Sequence, residues 1–182
     1  VRRSEKVLVG YFVYATIVGL ARPIAPSIQL TACAINAAIV SAYFFLGWAD
    51  RYQRRTFISM LRDWAPLPFM LLGYREMGWF ALPHANSNLE HGWIFWDRLL
   101  LNEWGLKALI EAAGPVGPTV LEIAYMLVYT MGPICLGVLY KTGNRDKVDR
   151  FLFLFLLAVL SSDALFPYFP SEPPRTIFPG ED

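Results

Sequence analysis

Charge, histidine and cysteine are all scarce in this 182-residue chain, and each shortage closes off a class of function. Charged residues make up 17% of the sequence against 55% hydrophobic ones, too few to give a water-facing surface to apolar residues that sit in long runs. The two cysteines, Cys33 and Cys135, lie in separate apolar runs and read as small buried fillers, not a disulfide framework. The two histidines, His84 and His91, fall in the polar stretch PHANSNLEHGW. With Glu90 and Asp97 they match no familiar metal spacing, so neither a metal nor another cofactor is expected. There is no glycine-rich phosphate loop, no Ser-His-Asp arrangement and no nucleic-acid signature. An internal repeat and paired broken helices are also missing, which argues against a small transporter. No small-residue cleavage site follows the first apolar run, so that run is not a signal peptide.

What the chain does have is apolar length. Uncharged or nearly uncharged runs over 7–21, 27–49, 64–82, 120–140 and 151–169 predict an all-α, polytopic transmembrane bundle of about five spans. Pro23 and Pro26 punctuate a tight connection between the first two. The third span is interrupted by Arg75 and Glu76 and begins near Pro66 and Pro68. Residues 83–119 are too polar to cross. Within them, 93–113 mixes leucines and tryptophans with Asp97, Arg98, Glu103, Lys107 and Glu111, the pattern of an amphipathic helix lying in the membrane interface.

Lysine and arginine set the expected orientation. With the N-terminus inside, eleven fall in cytoplasmic segments (Arg2, Arg3, Lys6, Arg51, Arg54, Arg55, Arg62, Lys141, Arg145, Lys147 and Arg150). Only four, Arg22, Arg98, Lys107 and Arg175, fall outside. That asymmetry predicts a cytoplasmic N-terminus and an outward-facing C-terminal segment in the cell (inner or plasma) membrane.

Four ionisable residues interrupt the spans: Arg75, Glu76, Glu122 and Asp163. Each costs roughly 2.5–3.5 kcal/mol at the bilayer centre, so each needs a partner or an aqueous pocket. All four fall in the outer halves of their helices, which predicts one shared polar site opening outward. Two readings of that site stay open: charges that pair to hold the bundle, and a cavity for a lipid headgroup. Glu122, Tyr125 and Tyr129 share one helix face beside it, by their spacing of three and seven residues.

After the fifth span comes FPYFPSEPPR. Its prolines make 170–182 an extended outer segment that fixes one guanidinium near the membrane surface. Arg175 is thus the best candidate ligand for a phosphate, since a guanidinium bonds two phosphate oxygens at once. FPYFPSEPPR, LEIAYMLVYTMGP, RDWAPLPFMLLGYRE and WDRLLLNEW together resemble the membrane-bound branch of the type-2 phosphatidic acid phosphatase superfamily. That branch includes the inositol phosphorylceramide synthase-like phosphotransferases. The resemblance covers most of residues 60–180 and implies an outward-facing site. There, a histidine attacks a lipid phosphate, basic residues hold its oxygens, and a second histidine is general acid or base. Arg175 matches the first phosphate-binding motif by position, without the lysine that usually precedes it.

The family's serine-histidine and histidine-aspartate motifs are not in this sequence, and neither His84 nor His91 has their context. As written, the chain carries no catalytic residue. Its start at Val1 and its stop soon after FPSEPPR lead to the expectation that residues are missing at both ends. One reading is the N-terminal helices of a lipid-phosphate phosphatase or phosphotransferase. The other is a non-catalytic subunit of a larger membrane complex, binding lipids or pigments, whose partner helices satisfy the buried charges. Membrane lipids, and on the second reading other transmembrane subunits, are the expected partners.

Overall fold

The computed structural model describes residues 2–53, 56–81 and 88–169, and they form helices joined by short connections, with no strand among them. The helices are α1 (Arg3–Ala21), α2 (Pro26–Gln53), α3 (Thr56–Trp64), α4 (Pro66–Phe80), α5 (Asn88–Arg98), α6 (Leu106–Ala112), α7 (Val116–Lys141) and α8 (Val148–Leu165). The all-α architecture expected from the sequence is what the chain adopts.

Local chemistry explains the boundaries. Arg22 is extended (φ −87°, ψ 140°), as a residue before proline must be, and this ends α1. Gln29 Nε2 then donates to the carbonyls of Gly19 (3.2 Å) and Arg22 (3.1 Å), which have no helical partner. Pro26 opens α2, where its missing N–H costs nothing. The expected third span begins as two helices. Ala65 stays helical (φ −58°, ψ −30°), and Pro66 restarts the ladder as α4.

The single interfacial helix expected over 93–113 is instead two. After α5, Leu99–Glu103 widens into a π-helical turn, and Gly105 takes a left-handed φ of 70° before α6. A residue with a side chain resists that φ, so the break sits at the glycine. The proline-rich 170–182 lies outside the described residues.

The chain forms two compact units. The first combines Val1–Leu82 with Gly132–Phe169; the second holds Pro83–Met131 with Pro170–Asp182. In the first unit α1 is the central helix, flanked by α2, α4 and α8. Its buried stripe of Leu8, Phe12, Ala15 and Val18 meets Met77 and Phe80 of α4 and Leu152, Leu156 and Leu160 of α8 in one core. Close approach depends on glycine. A Cβ on Gly73 would lie 2.6 Å from the Tyr11 ring, and one on Gly132 would lie 3.0 Å from Leu67 and Phe155. Helix packing without a hydrophobic driving force relies on such small residues.

Pairings along α1 fix the helix directions. Ser4 meets Asp149, Tyr14 bonds the Ala164 carbonyl (2.6 Å), and Arg22 bonds the Pro167 carbonyl (2.8 Å), so α8 runs parallel to α1. Tyr11 donates to the Gly73 carbonyl (3.1 Å) and Gly19 abuts Phe80, so α4 runs the same way.

Among the described residues three helices, α1, α2 and α7, are long and apolar enough to cross a membrane. At 15 residues α4 is shorter, and α8 carries Asp149, Arg150 and Asp163 in 18 residues, so length and composition alone do not establish five spans. In the second unit α7 is exposed at every position from Val120 to Met131, and Trp93, Trp96 and Trp104 are exposed too.

Candidate functional site

The densest concentration of charge in the first unit lies at the start of α1, and it joins five parts of the chain. Arg62 of α3 donates Nε (2.8 Å) and Nη2 (2.5 Å) to Oε1 of Glu5, and Nη1 to Asp50 at the end of α2. Both side chains of the Arg62–Glu5 pair are below a tenth exposed. Burial works against the Arg62 charge, but the bonds and fields of Glu5 and Asp50 outweigh it and hold the guanidinium above its ordinary value.

Asp63, the next residue, is the second hub. It accepts from Arg2, from the Tyr140 hydroxyl (2.5 Å) and from both Nε and Nη2 of Arg145 (3.2 Å each). Ser59 accepts from Arg145 as well (2.9 Å). The third member is Asp149 in the first turn of α8, which accepts the backbone N–H groups of Arg3 (3.2 Å) and Ser4 (3.1 Å) and the Ser4 hydroxyl (2.6 Å). The first N–H groups of α1 have no helical acceptor, so a carboxylate there is favoured. Partial burial pushes the Asp149 carboxyl up, but the Ser4 and Arg3 bonds and the Arg2 charge outweigh it and leave it below its usual value.

This cluster commits its Ser4 and Tyr140 hydroxyls and its carboxylates to bonds within itself. It is a clamp: it ties the starts of α1 and α8, the end of α2, α3 and the α7–α8 connection into one end of the bundle. Sequence reasoning missed it by counting its arginines only as topogenic charge. Four carboxylates among them, Glu5, Asp50, Asp63 and Asp149, were the available signal.

Of the four span residues expected to converge, Arg75, Glu76 and Asp163 lie in the first unit, in different surroundings. Glu76 is 2% exposed and accepts from Asn36 Nδ2 of α2 (2.9 Å), which also reaches Thr16 Oγ1 of α1 (3.0 Å). Asp163 is half-buried on α8, and Tyr11 lies within electrostatic reach of both carboxylates. One oxygen each of Glu76, Asp163 and Asn36 is buried without a hydrogen-bond partner. Arg75 is exposed and makes no ion pair among the described residues. As neighbours in a helix, Arg75 and Glu76 point about 100° apart, so burying one turned the other outward. Asn36, which carries no charge to draw attention in the sequence, is the partner Glu76 found.

Neither a known protein family, nor a curated protein, nor a solved structure matches this chain. Its chemistry is therefore read from its own residues.

Glu122 belongs to the second unit, where it is exposed on α7 and makes no ion pair among the described residues. On the same face the Tyr125 and Tyr129 hydroxyls are 2.9 Å apart, with the rings edge to face. Arg175 and His84 lie outside the described residues.

Proposed function

We propose that this chain forms the N-terminal helices of an integral membrane enzyme acting on lipid phosphates, a phosphatase or phosphotransferase of the kind its motifs resemble. The observation that carries the reading is the exit of α8. Arg22 holds the Pro167 carbonyl at 2.8 Å and lies over the Tyr168 ring at 5.1 Å, at the end of α1 remote from the ionic clamp. The end of α8 thus lies opposite the end that gathers Arg2, Arg62 and Arg145. With the arginine-rich end cytoplasmic, α8 ends toward the outer face, where the resemblance requires a phosphate ligand.

The same packing supports five crossings. Both α4 and α8 run beside α1 along its length, so an α1 that spans the bilayer carries them with it. The nucleophilic histidine is supplied from outside these 182 residues, because His84 and His91 lack the family's context.

The full gene product, reconstituted in vesicles, should hydrolyse phosphatidic acid to diacylglycerol and inorganic phosphate, or move the phosphoinositol group of phosphatidylinositol to the hydroxyl of a ceramide supplied with it, leaving diacylglycerol. Arg175→Ala should lower that turnover about a hundredfold, the scale for one lost contact to a charged transition state. Full turnover in the variant, or none in the wild type with either lipid, refutes the assignment. Impermeant thiol labelling of Ser171→Cys in sealed cells tests the orientation.

A second reading is favoured by Glu122 alone. A carboxylate exposed on an apolar span needs cover, and a transmembrane subunit of a larger complex would provide it. Cross-linking from Glu122→Cys decides: capture of a different polypeptide supports the subunit, and capture within one polypeptide supports the enzyme.

A further inference from the structure

Beside the ionic clamp, α1, α2 and α3 enclose a half-open groove of about 820 Å³, within the range of small-molecule pockets. It is lined by Lys6 and Arg51, both exposed, and by the rings of a tilted pair, Trp48 and Tyr52, with centroids 5.0 Å apart. Its floor is apolar or bare, at Val9, Gly10 and Gly47. Tyr43 also lines it, and although only 4% exposed, its hydroxyl has no hydrogen-bond partner. Glu5 and Arg62 are already committed to each other, so the charge left facing an occupant is that of Lys6 and Arg51.

We propose that this groove seats one anionic phospholipid of the leaflet at the clamp end. Its phosphate would lie between Lys6 and Arg51, with Tyr43 as buried donor and the start of an acyl chain over Gly10. Several observations select a lipid over another occupant. The two helices forming most of the walls are long and apolar enough to cross a membrane, and the groove lies where their apolar runs meet basic flanks. Aromatic residues and cations at that level are what a headgroup region favours. The bare floor leaves room for a chain: a Cβ on Gly10 would meet nothing within 4 Å, and one on Gly47 only the Arg62 guanidinium at 3.9 Å. The proposal does not rest on the enzymatic reading, and its test reads binding alone.

The test uses full-length protein in detergent, exposed to micelles of phosphatidylglycerol or phosphatidylcholine, with retained lipids counted by native mass spectrometry. The wild type should keep one phosphatidylglycerol with on the order of tenfold preference over phosphatidylcholine, as two basic contacts supply. Lys6→Gln with Arg51→Gln should abolish that preference. Gly10→Leu should expel the lipid of either kind by filling the floor. That variant should fold well, because leucine is the better helix former and the space is open. Equal retention of the two lipids by the wild type, or undiminished retention by Gly10→Leu, overturns the proposal. So does a dimer that dissociates in Gly10→Leu with no change in bound lipid, which would place a second copy of the chain in the groove.

Discussion

Removing the Arg62 guanidinium should be among the most damaging single changes in the first unit. Arg62 makes two bonds to Glu5 and one to Asp50, and the Glu5 side chain is 7% exposed. In Arg62→Met the methionine replaces the stem, but Glu5 is left as a buried carboxylate whose remaining donor among the described residues is the backbone N–H of Arg2 (2.8 Å). Breaking a buried pair from one side costs about 3–5 kcal/mol, most of it the stranded charge. The Asp50 side chain is 21% exposed and can rehydrate, so only Glu5 is stranded and about 3 kcal/mol is expected. The assay is unfolding in mixed micelles with rising dodecyl sulfate, followed by helix signal and by labelling of the free thiols Cys33 and Cys135. A second variant isolates the cause. Adding Glu5→Gln to Arg62→Met removes the stranded charge and should recover most of the loss. Arg62→Lys should recover only part, because an ammonium lacks the planar fork. A loss below about 1 kcal/mol in Arg62→Met, the level of an exposed pair, would refute the burial argument. So would a double variant no more stable than the single one.

Other expectations follow from individual contacts. The Asp149 carboxyl lies below its usual value, so its contribution is complete above about pH 4 and is lost as pH falls through the lowered value. Asp149→Asn should flatten the acid limb of the stability profile there, and an unchanged limb would count against the cap. Gly73→Ala places a Cβ 2.6 Å from the Tyr11 ring and should destabilise by about 1–3 kcal/mol, whereas Gly78→Ala, with open space, should not. Comparing the two melting curves checks it. Asn36→Leu removes the donor to Glu76 and should cost roughly 1–2 kcal/mol in the micelle assay, while Glu76→Gln, which keeps an acceptor for Asn36, should cost less. The reverse order would show that the Glu76 charge, not its hydrogen bond, is what the bundle needs.

How much of this was legible in sequence depended on whether the deciding interaction was local. The runs 7–21, 27–49 and 120–140 locate α1, α2 and α7, because hydropathy records what lipid accepts. Each helix nevertheless extends beyond its run, to Arg3–Ala21, Pro26–Gln53 and Val116–Lys141. An apolar run ends where charge begins, but a helix ends where its backbone partners do. The added turn of α1 is held by Asp149, 145 and 146 positions away in sequence. At the end of α2, Asp50 is tied by Arg62. No periodicity announces such pairings.

Arg75 and Glu76 part for a related reason. Depth along a helix can be read from residue number, but the face a residue presents is decided by what packs against it. Arg75 and Glu76 share a depth and occupy different faces. The face was chosen by Gly73, which lets Tyr11 approach, and by Asn36, which offers a donor across from α2. The same reasoning gives the ionic clamp its meaning. Arginines placed only to orient a chain would need no carboxylates, yet these flanks hold four, each bonded to a segment other than its own. Topogenic charge and tertiary structure therefore overlap here: Arg2, Arg62 and Arg145, three of the eleven residues predicted to face inward, also tie that end of the bundle together.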